Sequence, residues 1–269
     1  MFGVVPKSLW QKSQPADDLN LCSWAMRSLL IEHGDRLILI DTGIGNKQDD
    51  KFFSHYHLHG PDNLDNQLRS KGFERADITD VFLTHLHFDH CGGAIERSGD
   101  HWAPAFPRAR FWSNTEHWAC ATQPNPREKA SFLAENILPI RESGQLEWIA
   151  LPETAGVLDR VSTPLGFDCL RVCGHTESMM LPLLEVDGKT VVYLADLIPS
   201  AAHIPLAWVM GYDTRPLLTL EEKAAVLEQA AAGEWLLFFE HDPIHECARV
   251  AQTEKGIRLQ SAGRLADLW

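Results

Sequence analysis

At 269 residues, 45% of them hydrophobic, the chain can bury a large core, and a single domain spanning residues 1–269 is expected. It has no apolar run of about 18 residues to cross a bilayer, and Met1 to Lys7 lacks the basic flank and apolar stretch of a signal peptide, which points to a cytoplasmic protein with no membrane partner. The 24 Lys and Arg stand against 37 Asp and Glu, for a net charge of −13, and form no basic block to follow a phosphate backbone, which argues against nucleic acid as a partner.

Residues 1–20 read as an arm, in which Trp10 and Pro15 suggest packing on the body or on another subunit. A homodimer is thus the one assembly the sequence suggests. Two strands follow, Trp24 to Glu32 and Arg36 to Ile40, joined by a hairpin turn at His33-Gly34-Asp35. The second ends in Asp41-Thr42-Gly43, by itself an ordinary turn signal. Residues 46–61 mix polar residues with Phe52, Phe53, His55, Tyr56, His57 and His59. Their alternating histidines imitate a metal-binding strand, yet no carboxylate or turn completes it, so a solvated or lid segment is the better reading. Asp62 to Lys71 reads as a helix stopped by Gly72.

The apolar, β-branched run Val81-Phe82-Leu83-Thr84 then delivers His85, His87, Asp89 and His90. Side chains two apart on an extended backbone point the same way, so His85 and His87 can grip one ion from a strand end. Asp89 and His90 come after the chain has begun to turn, and Gly92-Gly93 permits a close-packed turn, so this second pair can face a second ion. Three imidazoles and a carboxylate within six residues are hard to accommodate without a cation.

Beyond this stretch, Arg110 to Trp112 reads as a strand, and Thr115 to Ala121 and Pro126 to Asn136 as helices, the latter with proline in its first turn. Trp102, Phe106, Trp112, His117 and Trp118 fall here, a density of rings usual in a core. Leu170 to Val172 leads to Gly174-His175-Thr176, a histidine that alone means little. Met180 to Val186 and Thr190 to Leu194 form a hairpin across Asp187-Gly188-Lys189 that ends in Ala195-Asp196. Thr219 to Glu222 matches a capping box opening a helix with Leu220, Ala224, Leu227 and Ala231 on one face, and Gly233 stops it. Trp235 to Phe239 is a buried strand followed by Glu240-His241-Asp242-Pro243. The six cysteines, at 22, 91, 120, 169, 173 and 247, show no Cys-x-x-Cys spacing and read as reduced core thiols. Composition and periodicity alone give an α/β protein of one domain.

The order His85-x-His87-x-Asp89-His90, then His175, Asp196 and His241, each after a strand-like or turn signal, resembles the metallo-β-lactamase superfamily. The resemblance implies a four-layer αββα sandwich of two mixed sheets flanked by helices. It assigns His85, His87 and His175 to one ion and Asp89, His90 and His241 to another, with Asp196 bridging both and Asp41 supporting the metal loop. The implied cofactors are two divalent transition metals, zinc first and iron, manganese or cobalt open. A bridging hydroxide would attack a small ester, lactone or phosphotriester, with Asp89 and Asp196 at the catalytic centre. In look the chain is most similar to the branch of N-acyl-homoserine lactonases and methyl parathion hydrolases. Lactonases of that branch carry a tyrosine shortly after the bridging aspartate, whereas Asp196 is followed here by Leu-Ile-Pro-Ser-Ala-Ala-His203. His203 and Tyr212 stand as substitutes for that group, with packing the better reading of both, and Phe52, Phe53, Trp112 and His117 stand as further pocket residues. The alternatives are a glyoxalase-II-like thioesterase, a mononuclear iron sulfur dioxygenase, and a metal-holding sensor or scaffold.

Overall fold

The computed structural model describes residues 1–153 and 156–269. They form two compact units, Ser28–Ile149 and the paired segments Met1–Arg27 and Ala150–Trp269.

The Ser28–Ile149 unit holds strands β1 (Leu29–His33), β2 (Arg36–Ile40), β3 (Asp80–Phe82), β4 (Ile95–Ser98), β5 (His101–Pro104), β6 (Arg110–Ser113) and β7 (Leu146–Trp148). Five make one sheet in the order β1-β2-β3-β6-β7, and β4 and β5 pair separately. β1 and β2 are the expected hairpin, closed by Gly34 and Asp35 between paired His33 and Arg36. The β2-β3, β3-β6 and β6-β7 pairs are parallel. On one face Leu37, Leu39, Val81 and Phe111 pack with Leu68, Trp118, Ile137 and Ile140 from the helices Leu64–Ser70, Thr115–Thr122 and Ala134–Glu142. Each such side chain contributes about 1.5–3 kcal/mol by burial. Ile38, Ile40 and Phe82 on alternate positions are buried as well, which explains strands that read as unbroken apolar runs.

Two elements differ from expectation in this part of the chain. The first strand starts at Leu29 rather than Trp24, because Ala25 and Arg27 give their N–H groups to the carbonyls of His241 and Glu240. The helix expected over Pro126 to Asn136 lies instead at Ala134–Glu142. The Asn125 carboxamide oxygen accepts the N–H groups of Arg127 and Glu128, a side-chain turn that competes with helix initiation at the proline.

The other unit carries β8 (Asp159–Ser162), β9 (Asp168–Val172), β10 (Met179–Val186), β11 (Lys189–Tyr193), β12 (Leu236–Phe238), β13 (Cys247–Thr253) and β14 (Gly256–Gly263). They form one sheet in the order β14-β13-β12-β11-β10-β9-β8. Neighbours are antiparallel except β11 and β12, so β9, β11 and β12 all run the same way. The Pro216–Ala232 helix opens with proline at its first turn and Arg215 at its N-cap. Thr219 and Glu222 therefore do not cap it. Its buried face is Thr219, Glu222, Lys223, Val226, Leu227 and Ala230, displaced from the apolar stripe because Glu222 and Lys223 both find partners inside. The N-terminal segment lies on its own unit, with Phe2 stacked between Trp10 at 5.1 Å and His203 at 4.5 Å. Among the described residues no helix is long and apolar enough to cross a membrane, and the six cysteines are free thiols.

Candidate metal centre

In open α/β sheets, sites form beyond the carboxyl ends of parallel strands. Within Ser28–Ile149 that rule collects Asp41 after β2, Thr84 to His87 after β3, and His117 in the helix after β6. Asp41 sits at φ +54°, a backbone strained for a non-glycine residue. Its Oδ1 accepts the Thr84 N–H at 2.8 Å, and its Oδ2 takes the Thr84 hydroxyl at 2.6 Å and faces His90 Nδ1 at 3.0 Å. A carboxylate on Nδ1 leaves His90 to present Nε2 as a ligand. His85 is oriented likewise, with Nδ1 3.1 Å from the Thr84 hydroxyl and Nε2 3.1 Å from His87 Nδ1. His87 is turned the other way, its Nε2 facing buried Glu128 at 3.8 Å and its Nδ1 facing His85. The His85 ring lies 4.5 Å from that of His87 and 3.9 Å from that of His90. Imidazoles buried this closely, nitrogen to nitrogen and backed by carboxylates, suit a cation between them.

The flanking residues of this stretch have clear places. His117 is wholly buried, and its Nε2 accepts the Leu86 N–H at 2.8 Å, so it props the backbone between His85 and His87. Burial pushes the Cys91 thiol up to about 12, and its Sγ donates to the Leu86 carbonyl at 3.3 Å, a packing group rather than a thiolate. A Cβ on Gly92 would stand 2.2 Å from the Ile44 carbonyl oxygen, and one on Gly93 2.2 Å from that of Thr42. The motif's two glycines are thus required by close backbone approach. Trp112 is buried in the sheet, its indole N–H on Asp80 at 2.8 Å. Phe52 and Phe53 are half-buried. Phe52 meets Phe88, the residue between His87 and Asp89, edge-on at 5.4 Å, and Tyr56 meets the same ring at 4.9 Å.

In the other unit, β9, β11 and β12 deliver His175, Asp196 and His241 from the ends toward which all three run. Asp196 Oδ2 lies 3.1 Å from His175 Nε2, and its Oδ1 lies 2.9 Å from His241 Nε2. One carboxylate thus shows one oxygen to each of two histidines. Both histidines are fixed from behind: His175 Nδ1 by Asp213 at 3.0 Å, His241 Nδ1 by the Ala25 carbonyl at 2.8 Å. Burial disfavours a charged His175, but Asp196 and Asp213 outweigh it and lift the imidazole to about 10. This environment attracts positive charge. Asp242 is a turn residue, its carboxylate accepting the N–H groups of Ala201, Ile244 and His245. His203 is buried, bonded through Nδ1 to the Ser200 hydroxyl at 2.8 Å, and burial pushes it down to about 3. Tyr212 is 61% exposed.

Sequence reading missed the residues behind the candidate ligands: Glu128, Asp213, the Ala25 carbonyl and Glu222. Asp213 lies 38 positions from the histidine it orients, between residues with no motif of their own. Glu222 did give a signal, as the acid of a Thr-x-x-Glu pattern, but one that pointed to the wrong role.

His85, His87, Asp89, His90, His175, Asp196 and His241 are all residues able to hold a metal ion. The donor set fits divalent transition metals, since His85, His90, His175 and His241 each have Nδ1 engaged from behind, which leaves Nε2 as the donor toward a metal. Residues 27–148 match the family model "Metallo-beta-lactamase superfamily". A probable metal-dependent hydrolase from Staphylococcus aureus is similar at 25% identity over 98% of this chain and 90% of that one, with a TM-score of 0.85. A hydrolase in the beta-lactamase superfamily, AbOPH, superposes with a TM-score of 0.73 at 18% identity, covering 95% and 86% of the two chains. AidC, a dizinc quorum-quenching lactonase, does so with a TM-score of 0.68 at 22% identity, covering 88% and 79%. No curated protein matches the chain. These likenesses show the metallo-β-lactamase fold, the αββα class that the motifs imply.

Proposed function

We propose that this metallo-β-lactamase-superfamily chain is a binuclear metal-dependent hydrolase of small ester, lactone or phosphotriester substrates, acting in the cytoplasm. In this reading His85, His87 and His175 hold one ion, Asp89, His90 and His241 the other, and Asp196 is shared. The observation that carries it is the Asp196 carboxylate, with one oxygen 3.1 Å from His175 and the other 2.9 Å from His241. A carboxylate that offers one oxygen to each of two histidines of different sets supports the reading of Asp196 as a bridge.

Zinc is the first choice of metal, with iron, manganese and cobalt as the others the donor set accepts. Bound ions supply a water acidified toward about pKa 7 and a Lewis acid for the substrate oxygen. The chain's part is to hold the ligand atoms fixed: Asp41, Glu128, Asp213 and the Ala25 carbonyl lock the imidazoles, and Asp196 stands ready to hold a proton at an oxygen as the leaving group departs. The lactonase named among the similar structures supports a lactone or ester as the substrate bond. Phe52 and Tyr56, docked on Phe88 of the candidate motif, with Phe53 edge-on to Phe52, support an apolar substrate wall beside it. A second copy of the chain is the partner we would look for.

The test is elemental analysis with a substrate panel. Two transition-metal ions per chain are expected, with occupancy of both reduced in Asp196→Ala, and hydrolysis rising through a limb near neutral pH. One iron and no second metal would move the answer to the sulfur dioxygenase. Two tightly held ions in Asp196→Ala would remove the bridge, and thioester turnover alone would favour the glyoxalase-II-like reading.

A further inference from the structure

Glu222 is the one carboxylate on the inner face of the Pro216–Ala232 helix, and only 2% of it is exposed. A buried carboxylate costs several kcal/mol unless its oxygens are hydrogen-bonded. Here Oε1 accepts the Cys173 N–H at 2.5 Å and Oε2 the Gly174 N–H at 3.0 Å. These are the amides of the two residues before His175.

The rest of that tripeptide is held by the same stretch of chain. The Cys173 carbonyl takes the Arg215 guanidinium at 2.7 Å, and the Gly174 carbonyl takes the Arg215 N–H at 2.8 Å. The His175 carbonyl takes the Thr214 N–H at 3.1 Å, and its ring is fixed by Asp213. A Cβ on Gly174 would lie 2.4–2.6 Å from atoms of Thr219, so the loop rests on the helix backbone with no room to shift toward it. Every main-chain group from Cys173 N to His175 O, apart from the His175 N–H, is thereby bonded to residues 213–222. Of those partners Glu222 alone is a side chain that must be buried to reach.

We propose that Glu222 is a positioning residue for His175: its two oxygens hold the Cys173 and Gly174 amides so that the imidazole is presented to its ion before any metal arrives. The inference rests on the reading of His175 as a metal ligand. A preformed loop spares the ion the ordering of the ligand it binds, and outer partners of this kind commonly change metal affinity about 10–100-fold.

The experiment compares wild type with Glu222→Gln, which keeps size and one acceptor, and Glu222→Ala. Zinc affinities are measured against a competing chelator, and metal-free protein is followed by NMR of the Gly174 amide and the His175 ring. Expected in Glu222→Gln is a loss of about 10–100-fold in one of the two zinc affinities with the other unchanged, and broadened His175 ring signals without metal. A helix anchor of purely structural role would lower thermal stability with both affinities and the His175 signals as in wild type, and that result overturns the proposal. Equal weakening of both ions overturns it too. If wild type itself fails to bind two ions, the proposed function fails. The ring signals then still decide the positioning claim, since unchanged signals in Glu222→Gln refute it with no metal present.

Discussion

Gly93→Ala should strike the metal loop and the fold together. Gly93 gives its N–H to the Gly43 carbonyl at 2.9 Å, and an added Cβ would lie 2.2 Å from the Thr42 carbonyl oxygen. An ordinary carbon–oxygen contact is about 1 Å longer, so the Asp41-Thr42 corner or the loop must give way by that much. The corner is bonded to the ligand on its other side: Thr42 N–H and Oγ1 meet the His90 carbonyl at 2.7 and 2.9 Å, and Asp41 meets His90 Nδ1 at 3.0 Å. Overpacking of this kind costs about 1–3 kcal/mol, and weakening two hydrogen bonds adds about 1 kcal/mol each. At about 2–4 °C per kcal/mol for a chain of this size, the melting temperature should fall by roughly 6–20 °C. Gly34→Ala is the control, because Gly34 has φ +62° with nothing near its missing Cβ and so isolates the backbone strain, about 1–2 kcal/mol. Thermal unfolding with chelator and with zinc measures both variants. If Gly93→Ala melts no lower than Gly34→Ala and keeps wild-type zinc affinity, the close-approach argument is wrong.

Asp213→Ala should weaken zinc binding by about 10–100-fold while Asp213→Asn, which keeps an acceptor for His175, loses less; equal losses in chelator competition would mean that the carboxylate does more than orient the ring. Replacing Phe52 and Phe53 together by alanine should raise KM for apolar esters or lactones with metal content intact. Unchanged kinetics with a shift from dimer to monomer on a sizing column would assign those rings to an interface. Burial lowers buried Lys223 from 10.5 to about 7. Between those values the unfolded chain holds a proton that the folded chain has shed, so the group makes the metal-free fold gain stability as pH rises. Urea unfolding should therefore show the stability of wild type relative to Lys223→Met increasing from pH 7 to 10; a constant difference would show that the ammonium survives on the carbonyls of Pro205, Leu206 and Trp208.

What the sequence disclosed depended on how local the signal was. The β1-β2 hairpin, the β10-β11 hairpin and the run into β3 carry their patterns within a few residues, and the structure has them within one or two positions of the expected bounds, apart from the late start of β1. The cluster of histidines proposed to hold metal was legible for the same reason, since His85, His87 and His90 follow one strand end. Periodicity failed where a side chain took over from the backbone. Asn125 replaces a helix turn with its own carboxamide, and the Pro216–Ala232 helix rotates its buried face to Glu222 and Lys223, residues any apolar template sends to solvent.

The same contrast separates ligands from the groups that hold them. A ligand must follow a strand end, so its position is constrained by the chain around it and leaves a pattern in sequence. An orienting group needs only a donor or acceptor at about 3 Å, from any element that passes. The structure uses that freedom: carboxylates serve His90 and His175, a hydroxyl serves His85, and a bare carbonyl serves His241. The carbonyl of Ala25 can have no sequence signature, because every residue has one. The Arg27 guanidinium reinforces that contact by reaching the carbonyls of Phe239 and Asp242 on either side of His241, at 2.7 and 3.0 Å. A substitution of Ala25 that keeps the backbone should therefore leave His241 in place, whereas Arg27→Ala releases the loop that carries it, and the effect on the second ion should follow the arginine alone.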